Sequence, residues 1–151
     1  MREYPEDTGA LLLLDLDDFK ALNDTYGHQE GDNCLIQIAA AIQACCIRPG
    51  ELAARYGGEE FSIILPATSA AGAISVAERI KKAIEHMQIP HANSLISPHV
   101  TVSMGIGTVI PNAAASVTTL IEQADQALYQ AKSHGRNRLI LYQEISKKLY
   151  L

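Results

Sequence analysis

No apolar run in these 151 residues approaches the ~20 that a membrane-spanning helix needs. The opening residues, Met1-Arg2-Glu3-Tyr4-Pro5-Glu6, are polar and acidic, which excludes a secretory signal peptide here. Cysteine is scarce: Cys34, Cys45 and Cys46 show no C-x-x-C spacing and no even framework, so neither a disulfide scaffold nor a common zinc pattern is present. A reduced, cytoplasmic compartment fits, with the cysteines expected as small apolar side chains of a buried helix. Positive charge is also short. Twelve Lys and Arg face 17 Asp and Glu, for a net charge of −5, which argues against a general nucleic-acid binder. It leaves room for a nucleotide held through a metal and a few local cations. No internal repeat, linker or low-complexity stretch divides the chain, so residues 1–151 are expected to form one domain.

What is there alternates between two periods. Ala10 to Leu16 is an apolar run ending in acids, a buried strand. Phe19, Leu22 and Tyr26 have helical spacing and stop at Gly27. Gly31-Asp32 is expected to open a longer helix to about Ile47, burying Leu35, Ile38, Ala39, Ile42 and Cys46. Pro49-Gly50 breaks it. Glu51 to Tyr56 and Glu60 to Leu65 read as strands joined through Gly57-Gly58 in a tight hairpin. A helix from about Ser69 to Met87 buries Ala73, Val76, Ile80, Ala83 and Met87. Residues 88–98 read as a loop and Val100 to Val109 as a strand rich in β-branched residues. Ser116 or Thr119 can cap a last helix, with Leu120, Ile121, Ala124, Leu128 and Ala131 on its buried stripe and Gly135 at its end. Arg138 to Tyr142 closes the chain as a strand. The order β-α-α-β-β-α-β-α-β implies an α/β (α+β) fold with a mixed sheet covered by helices.

Two acidic clusters carry the chemistry. Asp15, Asp17 and Asp18 end the first strand, and Glu59-Glu60 sit on the hairpin. Either alone would read as solvated acids. Together, on strands expected to be sheet neighbours, they can meet at one divalent ion, since magnesium takes a few carboxylates plus substrate phosphates. Gly57-Gly58 would let a phosphate approach the backbone closely.

The constellation resembles the GGDEF-domain diguanylate cyclases. The hairpin reads Gly57-Gly58-Glu59-Glu60-Phe61, the GGEEF variant. A second signature runs Asp15-Leu16-Asp17-Asp18-Phe19-Lys20, then Leu22-Asn23-Asp24, Tyr26-Gly27-His28 and Gly31-Asp32. A third runs Ala124-Asp125, Ala127-Leu128-Tyr129, Ala131-Lys132 and Gly135-Arg136-Asn137. The resemblance covers about residues 10–142.

It implies a central, mostly antiparallel five-stranded sheet of the nucleotidyl-cyclase or palm type. It implies condensation of two GTP into cyclic di-GMP with release of pyrophosphate, using Mg (or Mn), across a homodimer in which each domain holds one GTP. Asp15, the backbone oxygen of Leu16 and Glu59 would ligate metal. Glu59 and Glu60 are implicated in activating the 3′-hydroxyl, their division of labour left open. Lys20, Lys132 and Arg136 match triphosphate contacts. Asn23 and Asp32 match guanine contacts, His28 and Phe19 lie on the same substrate-side segment, and Gly57 and Gly58 flank the phosphates. A carboxylate at Asp32 accepts from guanine N1–H and N2–H₂, which adenine cannot supply.

Three places depart from the family pattern, one of them Asp18, acidic where an aromatic or histidine is common and so expected to alter the local charge near the metal. The family's product-inhibition motif, Arg-x-x-Asp, reads Arg48-Pro49-Gly50-Glu51 here, with Arg79 as a further candidate; the longer Glu51 side chain implies weaker inhibition. The family's usual leading segment has no counterpart in Met1 to Gly9, so the chain is expected to be part of a longer protein with an upstream sensory or dimerising module. Two rival readings remain: a non-catalytic GTP-binding regulatory module of the same family, and another nucleotidyl cyclase or palm-type polymerase.

Overall fold

The computed structural model describes residues 9–109 and 117–143. Nine elements follow in the expected order: β1 (Gly9–Leu16), α1 (Phe19–Tyr26), α2 (His28–Cys45), β2 (Leu52–Gly57), β3 (Glu60–Pro66), α3 (Ala70–Met87), β4 (Val102–Val109), α4 (Val117–Ser133) and β5 (Leu139–Leu141). The sheet order is β2-β3-β1-β4-β5. The first three pairings are antiparallel, and β4 with β5 is parallel. The expected mixed, mostly antiparallel five-stranded sheet is thus the one observed.

Strand alternation divides the core in two. Leu12, Leu14, Ile63, Leu65, Met104 and Ile106 point to one face, where α1, α2 and α3 pack. Leu11 and Leu13 point to the other and meet Ala124 and Leu128 of α4. Gly105 explains how α4 comes so close. A Cβ there would lie 2.2 Å from the Leu128 nitrogen and 2.3 Å from the Ala124 carbonyl oxygen. The helix therefore rests on bare strand backbone, and the Met104-Gly105-Ile106-Gly107 alternation serves two faces of different depth.

Several expectations shift. The second long helix starts at His28, not Gly31, because Gly27 already turns the chain with φ 91° and accepts the Gly31 N–H at its carbonyl. Its buried stripe is Gly31, Cys34, Leu35, Ile38, Ile42 and Cys45. Ala39 is exposed, and Cys46 is only half-buried because it caps the helix, at φ −90° and ψ 83°, and no longer follows its periodicity. On α3 the stripe ends on Ile84 rather than on Ala83 and Met87. Ser69 caps α3, its hydroxyl accepting from the Gly72 N–H at 3.2 Å. Helix α4 already includes Thr119, so that residue does not stand in front of it; Ser116 lies outside the described residues. The last strand is three residues long. Residues 88–98 form a loop as expected, with one bridge between Pro90 and His99 at its base.

Candidate active site

Register brings the two acidic clusters together. On adjacent antiparallel strands Asp15 lies directly opposite Glu60, so both side chains share the face that α4 covers. The hairpin turn is Gly58-Glu59, with Gly57 still paired to Glu60 in the ladder. Gly58 has φ 51°, a left-handed position that glycine adopts without strain. The Arg55 Nε–H donates to the Gly58 carbonyl oxygen at 2.8 Å and braces the turn. A Cβ at Gly57 would meet nothing within 4 Å, so no packing inside the domain demands glycine there.

Asp15 is 5 % exposed. Lys132 reaches it from the end of α4 and forms an ion pair with Oδ2. Oδ1 is buried without a hydrogen-bond partner. Burial pushes the Asp15 carboxyl above its ordinary pKa, against the lowering effect of Lys132. Glu59 and Glu60 are raised too, first by burial and then by the Asp15 charge, with Asp125 adding to Glu60. Three acids therefore compete for too little positive charge.

A divalent cation suits this donor set. One Asp15 oxygen is orphaned, the other is already held by a cation, and two neighbouring carboxylates have raised proton affinity. Among the described residues, no three His, Cys, Asp or Glu side chains already surround a point closely enough to bind an ion by themselves.

Asp17 and Asp18 serve the frame. Asp17 is 3 % exposed and accepts from Thr101 Oγ1 (2.7 Å), Ser103 Oγ (2.6 Å) and the Asn137 N–H (3.0 Å). It ties the end of β1 to β4 and to the turn carrying Arg136. Asp18, at φ 55°, accepts from the Leu95 N–H (3.0 Å) and Ser94 Oγ (3.2 Å), and its carbonyl contacts Nε2 of the fully buried His91 (2.9 Å). The acid at position 18 thus anchors loop 88–98.

Asn23 and Asp32 lie on α1 and α2, either side of a close approach at Gly31. A Cβ on Gly31 would sit 1.8 Å from Asn23 Oδ1, an atom that is buried and unpartnered. Gly31 is therefore an interior position of α2 that makes room for the Asn23 amide. Asp32 and His28 are exposed. Phe19 differs: at 8 % exposure it belongs to the core and backs this region from beneath. Lys20 is exposed and ion-paired with Asp24, a surface pair that adds little to stability. Lys132 sits on Asp15, and Arg136 has φ 65° in the turn after α4.

Arg48, Glu51 and Arg79 gather elsewhere, at the C-terminal end of α2. The Arg48 N–H donates to Glu51 Oε1 (3.1 Å), the Arg48 guanidinium contacts Thr68 Oγ1 (3.4 Å), and Arg79 donates to the Cys45 carbonyl (2.9 Å). Both Glu51 and Arg79 act electrostatically on the Cys46 thiol, which places them at one location.

Sequence reasoning missed Arg55 and Asp125 as neighbours of the site. Arg55 carried a signal in its place two residues before the glycines. Asp125 lay within a quoted motif, but its approach to Glu60 depends on how α4 crosses the sheet.

Comparison with known proteins gives consistent results. The family described as "Diguanylate cyclase, GGDEF domain" matches residues 2–138. Diguanylate cyclase A of Treponema denticola is 43 % identical over 136 residues, covering 90 % of this chain and 36 % of that protein. Diguanylate cyclase DgcM of Escherichia coli is 40 % identical over 131 residues, covering 87 % and 30 %. The chain thus spans about a third of the length of these relatives. The GGDEF domain of DgcB from Caulobacter crescentus, solved with c-di-GMP, is 36 % identical with a TM-score of 0.80, covering 91 % of this chain and 79 % of that one. The active GGEEF domain of a diguanylate cyclase from Vibrio cholerae is 30 % identical with a TM-score of 0.80, covering 91 % and 85 %.

Proposed function

The chain belongs to the GGDEF domain family, and from that premise we propose that it condenses two GTP molecules into cyclic di-GMP, as a homodimer and with magnesium or manganese. The observation that carries the reading is the direct pairing of Asp15 with Glu60 beside Glu59, with an unpartnered oxygen on Asp15.

In the proposed reaction each domain holds one GTP. A 3′-hydroxyl of one nucleotide attacks the α-phosphorus of the other, the bond to the β-phosphate breaks, and pyrophosphate leaves. Two such steps close the ring and release two pyrophosphates. The divalent cation would be held by Asp15, the Leu16 carbonyl and the hairpin acids. It would supply charge neutralisation at the phosphates. Glu59 would be the hairpin ligand that shares the cation with Asp15, and Glu59 or Glu60 would take the hydroxyl proton. Lys20, Lys132 and Arg136 would neutralise the triphosphate. Lys132 is already drawn to the site by Asp15.

Asn23 and Asp32 would read guanine. The orphaned Asn23 oxygen supports this, because a buried acceptor gains most from a donor that only the correct base brings. His28 lies beside them in sequence. Phe19 would act from below by packing. The two reactants come from separate domains, so most of the acceleration is orientation. A module joined upstream would then regulate the reaction by setting how often two domains meet. The compartment that supplies GTP is the cytoplasm, and among the described residues no helix is long and apolar enough to cross a membrane. Arg48, Glu51 and Arg79 would form a product-binding site of reduced affinity.

The test is product analysis after incubating an enforced dimer with GTP and magnesium, beside Glu59→Ala and Glu60→Ala. Cyclic di-GMP from the parent and at least ~100-fold less from either variant is expected. GTP binding with no product would instead favour a regulatory, non-catalytic domain. Equal turnover of ATP would sink the guanine assignment.

A further inference from the structure

Helix α1 carries Lys20 and Asn23, but packing holds little of it. Eight residues long, it buries only Phe19 and Leu22, and its main neighbour among the elements is α2. The fit against α2 is nevertheless close: Asn23 Oδ1 fills the space that a Cβ on Gly31 would take. A small slide or rotation of α1 would carry the amide off that glycine.

Loop 88–98 grips α1 at both ends. Asp18 is the N-cap residue, yet its side chain does not cap the helix. Aspartate is among the best capping residues. Here its carboxylate turns to the loop instead and accepts from the Leu95 N–H (3.0 Å) and Ser94 Oγ (3.2 Å). At the far end, Tyr26 Oη accepts from the Ala92 N–H (3.0 Å), and Thr25 Oγ1 from the Asn93 amide (2.8 Å). The loop has its own footing: the His91 N–H donates to the Pro98 carbonyl (2.8 Å) and the Val100 N–H to the Ile89 carbonyl (2.8 Å), just ahead of β4.

His91 sits at the centre of this grip. Its Nε2 lies 2.9 Å from the Asp18 carbonyl oxygen. A carbonyl only accepts, so Nε2 carries the proton and donates. The same carbonyl accepts the Leu22 N–H, the bond that opens α1 (3.2 Å). His91 therefore holds the peptide from which the helix starts. Its other nitrogen, Nδ1, is buried without a partner. Packing alone would be served better by an apolar side chain, which leaves no polar atom stranded. We infer that His91 and Asp18 are positioning residues for nucleotide binding: through loop 88–98 they hold α1 so that Asn23 and Lys20 meet the guanine and the phosphates.

The hold on α1 does not depend on the proposed function, but its consequence does, since it rests on the assignment of Asn23 and Lys20 to GTP. The acids of the site are braced by other contacts. Asp15 pairs with Lys132, and the hairpin turn is tied by Arg55. Loosening the loop should therefore weaken nucleotide binding more than it slows the chemical step.

The test pairs hydrogen exchange with nucleotide binding. His91→Leu removes the donor together with the stranded Nδ1, so its Tm should stay within about 4 °C of the parent. Amide exchange in α1 should quicken by about ten-fold, with α4 unchanged. The Kd for a non-hydrolysable GTP analogue should rise about ten-fold, and KM should rise by a larger factor than kcat falls. His91→Gln can offer an amide N–H near the place of Nε2 and should return affinity to within about three-fold. Asp18→Gly keeps the positive φ without the acceptor, whereas Asp18→Asn keeps both, so the same loss and rescue are expected there. Unchanged exchange in α1, or exchange that quickens equally in α4, would overturn the positioning role. So would a loss in His91→Gln as large as in His91→Leu. Faster exchange with unchanged Kd would overturn the consequence for the nucleotide. If the parent binds no GTP, the cyclase reading fails while the hold on α1 is still judged by exchange.

Discussion

The methyl group added by Gly31→Ala would lie 1.8 Å from Asn23 Oδ1, 2.9 Å from Asn23 Cγ and 3.3 Å from Phe19 Cζ. The severe contacts are with the tip of a flexible side chain, so Asn23 should turn away while the helices stay. Two effects of opposite sign follow. Alanine inside a helix is worth ~1 kcal/mol over glycine, and an off-rotamer Asn23 returns about 0.5–1.5 kcal/mol of it. Net stability should therefore change by less than about 1 kcal/mol. Guanine binding should lose the Asn23 contact, about 1–3 kcal/mol, or roughly 5–150-fold in Kd. Calorimetric titration with a non-hydrolysable GTP analogue, beside a thermal melt, measures both. Adding Gly31→Ala to Asn23→Ala should cost no further affinity, since the group it displaces is already gone. Unchanged affinity in Gly31→Ala, with a clear loss in Asn23→Ala, would refute the steric argument. A collapse in Tm would show that the helices move rather than the side chain.

Asp17→Ala leaves two buried hydroxyls and the Asn137 N–H without their acceptor, and should cost ~3–4 kcal/mol in denaturant unfolding. Gly105→Ala drives a Cβ into the backbone of α4, which cannot yield as a side chain does; a loss of at least ~3 kcal/mol, read by circular dichroism on heating, is expected. Asp15 has a raised folded pKa, so its protonation favours the folded state: the stabilisation is fully present below the unfolded value of 3.8 and is lost as pH rises through the higher folded value. Asp15→Asn, carrying no charge to bury, should therefore gain Tm relative to the parent as pH is raised from 3.5 to 7, while losing cyclase activity; a Tm difference that does not vary with pH would contradict this.

Much of this protein was legible in consecutive residues. The order of elements, the helix start near Ser69, the stop at Gly27 and a tight turn led by the glycine pair follow from periodicity and turn chemistry, which act over a few residues. So did the presence of acids at the end of β1 and on the hairpin. Their separate duties were not legible. Asp15, Asp17 and Asp18 are near neighbours in sequence, yet one faces Lys132, one is sealed against Thr101 and Ser103, and one holds loop 88–98. Alternation sends successive side chains to opposite faces, and what waits on each face comes from residues up to 120 positions away.

The glycines show the same division. Gly58 could be understood locally, because a tight turn needs a positive φ. Gly31 and Gly105 could not, because each is glycine for the sake of another element: the Asn23 side chain in one case, the backbone of α4 in the other. By itself the sequence determined the elements, their order and the family signatures. Only the tertiary structure decided that Glu60 stands opposite Asp15 and that Lys132 meets that carboxylate. Strand register and helix packing are set by contacts between distant segments, and no window of neighbouring residues contains both partners.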